Sequence, residues 1–290
     1  MGHYAETAPP PALRPYVERL WMHEIDGPPP PEGRRLLPTG HVNLVWIAGM
    51  PVRVAGAQST YLEPPGVPRM LAYGASFHPG TVPPVLRTAA HEIADAHVHL
   101  DGIDARFAAR LDDRMLHSGD PLRTLADELA RRLRGADEPD PAVREAVRLL
   151  RSGLPVAETA NRTFVSERAL QRRFLDHVGY GPKLLQRVLR FNRFLELLPR
   201  VPLARAALLA GYADQPHLSR ETMRLTGLTP TRLLTWQHSR SVVSSSPAIR
   251  RRPSAAAAAS GVTPSPSAES KIWRSVSATA RTAGSARSAA

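Results

Sequence analysis

The chain has 290 residues, 42% of them hydrophobic, a net charge of +12 and no cysteine. That apolar content is enough for ordinary globular cores, and the missing cysteines exclude thiol catalysis, zinc–thiolate sites and disulfides together. The longest apolar runs fall short of a membrane span, and no basic stretch leading into an apolar one opens the chain, so a non-exported, cytoplasmic protein without membrane contact is expected.

The charge is unevenly placed. Residues 1–138 carry 14 Lys+Arg against 17 Asp+Glu, residues 139–238 carry 16 against 8, and residues 239–290 carry 8 against 1. A slightly acidic front half joined to a basic back half fits a polyanion-binding module attached to something else.

Taken in chain order, Tyr16 to Ile25 reads as a short strand or helix under Pro-rich loops. Pro38-Thr39-Gly40-His41 is a turn, and Val42 to Ile47 follows it as a strand rich in β-branched and aromatic residues. Further strands are expected near Val52 to Ala55, Arg69 to Phe77 and Ala96 to Leu100, punctuated by Pro and Gly at the spacing of a small β-rich domain. From Ile103 to Leu116 and from Leu122 to Leu133 the pattern turns helical: Leu122, Leu125, Leu129 and Leu133 fall on one face. Gly135 to Pro141 is a polar linker, which sets the expected boundary of a 1–138 domain.

Residues 139–238 are almost wholly helical in pattern. Ala142 to Leu150 forms a helix stopped by Gly153, and Pro155 opens a short one through Arg162. Ser166 stands in an N-cap position before an apolar-periodic run ending at Gly179. A connecting helix spans Pro182 to Leu198, with Leu184, Val188, Phe191, Leu195 and Leu198 expected as its buried stripe. The short-helix, turn, helix arrangement then repeats: Leu203 to Ala210, a turn at Gly211, a cap at Asp214, and a helix closed by Gly227. Pro230 opens a last helix through Gln237. From Ser239 onward the chain is Ser, Ala, Pro and Arg with few aliphatics, too apolar-poor to offset ordering entropy, and is expected to be disordered.

Two segments carry a resemblance. Gly211 to Arg220 (GYADQPHLSR) with Arg224 to Pro230 (RLTGLTP) resembles the second helix-turn-helix of the AraC family of transcription regulators, and Ser166 to Phe174 (SERALQRRF) with Gly179 to Pro182 (GYGP) resembles the first. The doubled match covers about residues 141–238. LLPTGHVNL at 36–44 and FHPGT at 77–81 resemble a domain that precedes this module in bacterial regulators. The chain departs from the family at three places: Phe164 stands where the first turn carries Gly, Thr163 where it carries Leu, and Pro216 where a polar side chain is usual. Proline cannot donate to a base, so the second unit should read fewer bases or act as a phosphate clamp.

The resemblance implies an α+β protein. A small β-rich N-terminal domain precedes an all-α double helix-turn-helix domain (139–238) and a disordered tail (239–290). It implies double-stranded DNA as partner, with Arg168, Gln171 and Arg172 of the first unit and Gln215, His217, Ser219 and Arg220 of the second facing the groove. Arg can grip guanine and Gln adenine with paired hydrogen bonds, and a rigid connecting helix would hold two readers about one DNA turn, roughly 34 Å, apart. RNA polymerase is the expected second partner, acting on a monomer or homodimer. His41, Asn43, Trp46 and His78 sit in the strongest motifs of the front region and are candidates for a small-molecule effector. His97-Val98-His99 puts two rings on one strand face, as metal sites do, but the Glu and Gly spacing of a metal-binding β-barrel enzyme is missing, and no metal, cofactor or catalysis is expected. The competing reading is an enzyme, metal-dependent or of DNA-repair type, fused to a DNA-binding module; without cysteine it lacks the usual alkyl acceptor.

Overall fold

The computed structural model describes residues 2–28, 34–64, 67–198 and 200–236. The tail from Ser239 lies outside them.

Six antiparallel strands form one sheet in the order β1-β2-β5-β3-β4-β6. They are β1 Gly2–Thr7, β2 Val17–Asp26, β3 Val42–Ile47, β4 Arg53–Ala55, β5 Arg69–Phe77 and β6 His97–His99. Of Tyr16–Ile25, open between strand and helix in the sequence, Val17–Ile25 belongs to β2 and Tyr16 to the turn before it. Strand β3 alternates strictly, with Val42, Leu44 and Trp46 buried and Asn43, Val45 and Ile47 half-buried, as a half-covered sheet requires. Strand β1 has no counterpart among the expected strands. It is an edge strand with mostly exposed side chains, so it needs no alternating apolar face and leaves no period-2 signal. Gly74 of β5 sits opposite Trp21 of β2, and the indole lies so close that a Cβ there would fall 2.3 Å from the ring.

Helices α1 (Val82–Leu86), α2 (Asp101–Leu116) and α3 (Pro121–Arg132) complete the front region. Asp120 caps α3 by accepting from the Arg123 amide at 3.1 Å. Buried Arg132 donates to the Val85 carbonyl and to Asp104, tying α3 back to α1 and α2.

Helices α4 (Pro141–Arg151), α5 (Val156–Arg162), α6 (Glu167–Val178), α7 (Pro182–Leu197), α8 (Leu203–Ala210) and α9 (Gln215–Thr226) follow. Residues 230–236 are helical as well. Two apolar cores result. The first runs from Leu13 through the sheet and α1–α3 to Val143, Leu170, Phe174 and Leu185, crossing the polar segment 135–141 without a break. The second gathers Val188, Phe191 and Phe194 of α7 with Ala206, Tyr212, Leu218, Leu225 and Trp236. The buried stripe of α7 is therefore Leu185, Val188, Phe191, Phe194 and Leu198, with Leu184 and Leu195 only half-buried. The stripe is displaced by one position at two points because α7 serves both cores, and its buried face must change partner along its length.

Candidate nucleic-acid interface

The first helix-turn-helix is α5, a turn and α6. The turn is held by the Thr163 hydroxyl, which donates to the Thr159 carbonyl at 2.9 Å. Phe164 follows at φ +56° and is 96% exposed, so a bulky residue occupies the left-handed conformation that glycine takes without cost. Ser166 caps α6 by accepting from the Ala169 amide at 3.2 Å, satisfying one of the amides a helix start leaves open. With the start pinned, Leu170, Phe174 and Val178 face the core, while Arg168, Gln171 and Arg172 are exposed on the other side. Gly179 ends the helix at φ +100°.

The second unit repeats the plan. Gly211 turns at φ +90° after α8, and Asp214 accepts from the His217 amide at 2.6 Å. Leu218, Thr222 and Leu225 are buried; Gln215 and Arg220 are exposed, and Ser219 is half-buried. The rotation of α9 is set from below by Arg187 of α7, whose Nε lies 2.9 and 3.1 Å from the two oxygens of buried Glu221. His217, expected to face outward, is turned partly inward. Its ring stands edge-on to Tyr212 at 5.3 Å, its Nε2 lies 3.4 Å from Arg190, and its Nδ1 takes the Ala213 amide at 3.5 Å.

Arg168, Arg172 and Arg220 make no hydrogen bond or ion pair among the described residues. Arg172 in particular leaves both Glu167 and Asp176 of its own helix unpaired with it; Asp176 instead faces His91, 3.5 Å away.

The C-terminal ends of both outward helices rest on the sheet domain. Gly179 lies against Ala90 and Ala94, with Ala90 O 3.1 Å from where a Cβ would stand. At α9 the Thr60 hydroxyl donates to the Arg224 carbonyl at 2.8 Å, and Arg35 donates to the Thr226 carbonyl at 2.5 Å. These are last-turn carbonyls with no partner inside their own helix. Between the units, the Asn192 amide of α7 donates to the Thr39 carbonyl at 3.0 Å. Arg35, Thr60 and Asn192 were not singled out in the sequence; each lies where no periodic or motif signal marks it.

The four residues read as effector candidates are not brought together as one site. Asn43 and Trp46 point to opposite faces of β3 by strand parity. Asn43 accepts from the Ser76 hydroxyl at 2.6 Å, whereas Trp46 packs on Tyr73 with ring centroids 6.0 Å apart. His41 and His78 do converge, on Glu18 of β2: His41 is buried and paired with it, and His78 lies 4.0 Å away. Burial works to raise the Glu18 carboxyl, but the hydrogen bond and charge of His41, with Arg19 and Arg151, outweigh it and lower the pKa to about 2. Burial above all lowers the His78 pKa, with Glu18 opposing. In β6, burial and then Arg53 lower His97 to about 4. Among the described residues, no three His, Asp or Glu side chains cluster as a metal site.

Two families match. Residues 5–99 match the family described as "Domain of unknown function (DUF6597)", and residues 159–235, which hold both capped units, match that described as "Helix-turn-helix domain". Residues 159–235 are thus similar to a helix-turn-helix domain. The matched helix-turn-helix segment contains every outward residue named above from Arg168 to Arg220, and α2, α3 and α4 lie between the two matches. No curated protein sequence matches the chain. Two solved structures of ToxT from Vibrio cholerae are similar at 8% identity: one covers 74% of this chain and 95% of its own with a TM-score of 0.39, the other 81% and 97% with 0.40. No helix among the described residues is long and apolar enough to cross a membrane.

Proposed function

We propose that this protein is an AraC-type, sequence-specific transcription regulator that occupies promoter DNA with both helix-turn-helix units and acts through RNA polymerase. In this reading α6 and α9 are the recognition helices. Arg168, Gln171 and Arg172 read one stretch of major groove, and Gln215, Ser219 and Arg220 a second, with His217 contributing through its position beside the α9 cap. The observation that carries the reading is the three unpaired arginines, Arg168, Arg172 and Arg220, exposed on capped helices whose other faces are locked into two cores joined by α7. Unpaired guanidinium groups on rigid helices are suited to paired hydrogen bonds with guanine, each contributing roughly 1–3 kcal/mol of discrimination.

Residues 1–138 form the regulatory part in this proposal, responding to a small effector or to a partner subunit. The docking of both recognition-helix ends on the sheet domain supports a route by which its state reaches the readers. The test is selection of bound duplexes from a random library by the full chain, with Arg172→Ala and Arg220→Ala run beside it. Two sequence patches one turn apart, each blurred by one substitution, are expected. A folded protein that enriches no motif at modest salt, with or without cell extract supplying effectors, would sink the reading.

A further inference from the structure

A cleft of about 260 Å³ lies between the two helix-turn-helix units. Arg151 and Gly153, at the end of α4 and its exit turn, form one wall. Gly211, in the turn of the second unit, forms the other. Gln186, Arg190 and Arg193 of α7 make the floor. Three arginines line the cleft and no carboxylate does. Arg190 is held in place by the edge of His217 and by the Tyr212 ring, 5.7 Å from its guanidinium. Gln186 is fixed by donating to the Leu154 carbonyl at 2.6 Å. Arg193 is exposed and makes no hydrogen bond or ion pair among the described residues, and exposed Arg151 reaches only the field of Glu18 and His78 on the sheet domain.

Position decides what such a cleft would hold. It opens beside the turn that leads into α9 and beside the turn that leads into α5, the parts of a helix-turn-helix that a docked duplex approaches. Two readers a turn apart leave one stretch of sugar–phosphate backbone crossing the connecting helix between them. An anionic, sequence-neutral ligand is what three arginines in a cleft lined by no carboxylate select.

We propose that this cleft binds the backbone phosphates of the DNA segment lying between the two read patches, with Arg151 and Arg193 as the mobile contacts and Arg190 as the fixed one. The inference rests on the DNA-reading proposal above and adds to it a site that positions the duplex without reading bases.

The test uses the full chain and the duplex recovered by selection. Arg151→Ala with Arg193→Ala should leave the selected motif unchanged, weaken binding roughly tenfold and lower the slope of log affinity against log salt by about 2. Methylphosphonate substitution of the phosphates between the patches should weaken the unaltered protein and weaken the double variant, which keeps Arg190, by clearly less; Arg193→Lys in place of Arg193→Ala should restore part of the slope. Far-UV circular dichroism checks that the exposed substitutions leave the fold intact. Equal salt slopes and equal methylphosphonate penalties in both proteins would overturn the cleft while leaving the readers standing. Competition by inorganic phosphate beyond that of chloride at matched ionic strength would make it a site for a free anion and overturn the backbone assignment. Loss of any selected motif in the unaltered protein would overturn both proposals.

Discussion

The guanidinium of Arg35, in a loop of the sheet domain, donates to the carbonyl of Thr226 at the end of the second outward helix, 2.5 Å away. Glu63 pairs with the same guanidinium at 2.7 Å, and the Tyr61 ring lies 4.7 Å beneath it. One side chain thereby caps α9 from outside its own unit and links residues 191 positions apart.

Arg35→Ala should release that end of α9. The lost charge-assisted bond contributes about 1.5–3 kcal/mol, so amide exchange in residues 215–236 should quicken while exchange in the sheet stays unchanged. Unaltered exchange in α9 would mean that the second core alone holds the helix.

Gly227 is the partner feature. Its φ is +67°, and a Cβ there would stand 2.6 Å from the Tyr61 ring. Gly227→Ala should cost more than about 1 kcal/mol, combining the left-handed conformation with the clash. Adding Tyr61→Ala should recover the clash portion only. Thermal unfolding of the two variants and their combination measures the difference, and full additivity would show that the ring does not constrain this turn.

Phe164 carries a left-handed φ of +56° and is 96% exposed. Phe164→Gly should stabilise the free protein by roughly 0.5–1 kcal/mol, the relief of left-handed strain exceeding the added freedom of the unfolded chain. A fall in melting temperature would instead show that the ring contributes to folding in spite of its exposure.

Stability should fall in two steps on acidification. His97 has a pKa depressed from 6.5 to about 4; the unfolded chain takes its proton first, so its contribution is complete above pH 6.5 and is lost as pH falls to about 4. Glu18 is depressed from 4.5 to about 2, so its pairing contributes fully above pH 4.5 and is lost as pH falls towards 2, with an upper bound of about 3 kcal/mol. Denaturant midpoints measured from pH 7 to 2.5 should show both limbs, and Glu18→Gln should flatten only the lower one. A lower limb of unchanged steepness in that variant would count against the Glu18–His41 pair.

Much of the outward helix surface was legible before any tertiary contact. Ser166, Asp214, Gly179, Gly211 and Gly227 stop and start helices through local chemistry, because a cap bonds within three residues and a left-handed turn needs only its own backbone. Helical spacing then separates Leu170, Phe174 and Leu218 from Arg168, Arg172 and Arg220. The strands from β2 to β6 were marked by β-branched runs between Pro and Gly, with helix left open as the alternative for β2, while β1, an exposed edge, carried no such mark.

What tertiary structure alone decided depends on distant neighbours. The turn of His217 towards Tyr212 and Arg190, the meeting of His41 and His78 on Glu18, the separation of Asn43 from Trp46, and the arginine cleft between the units all need segments far apart in the chain to be placed side by side. So does the capping of α9 by Arg35 and Thr60. Local sequence sets which face of each helix is apolar, through propensity, capping and period. Which elements those faces meet is set by packing two cores against one another, and no short-range pattern encodes that choice.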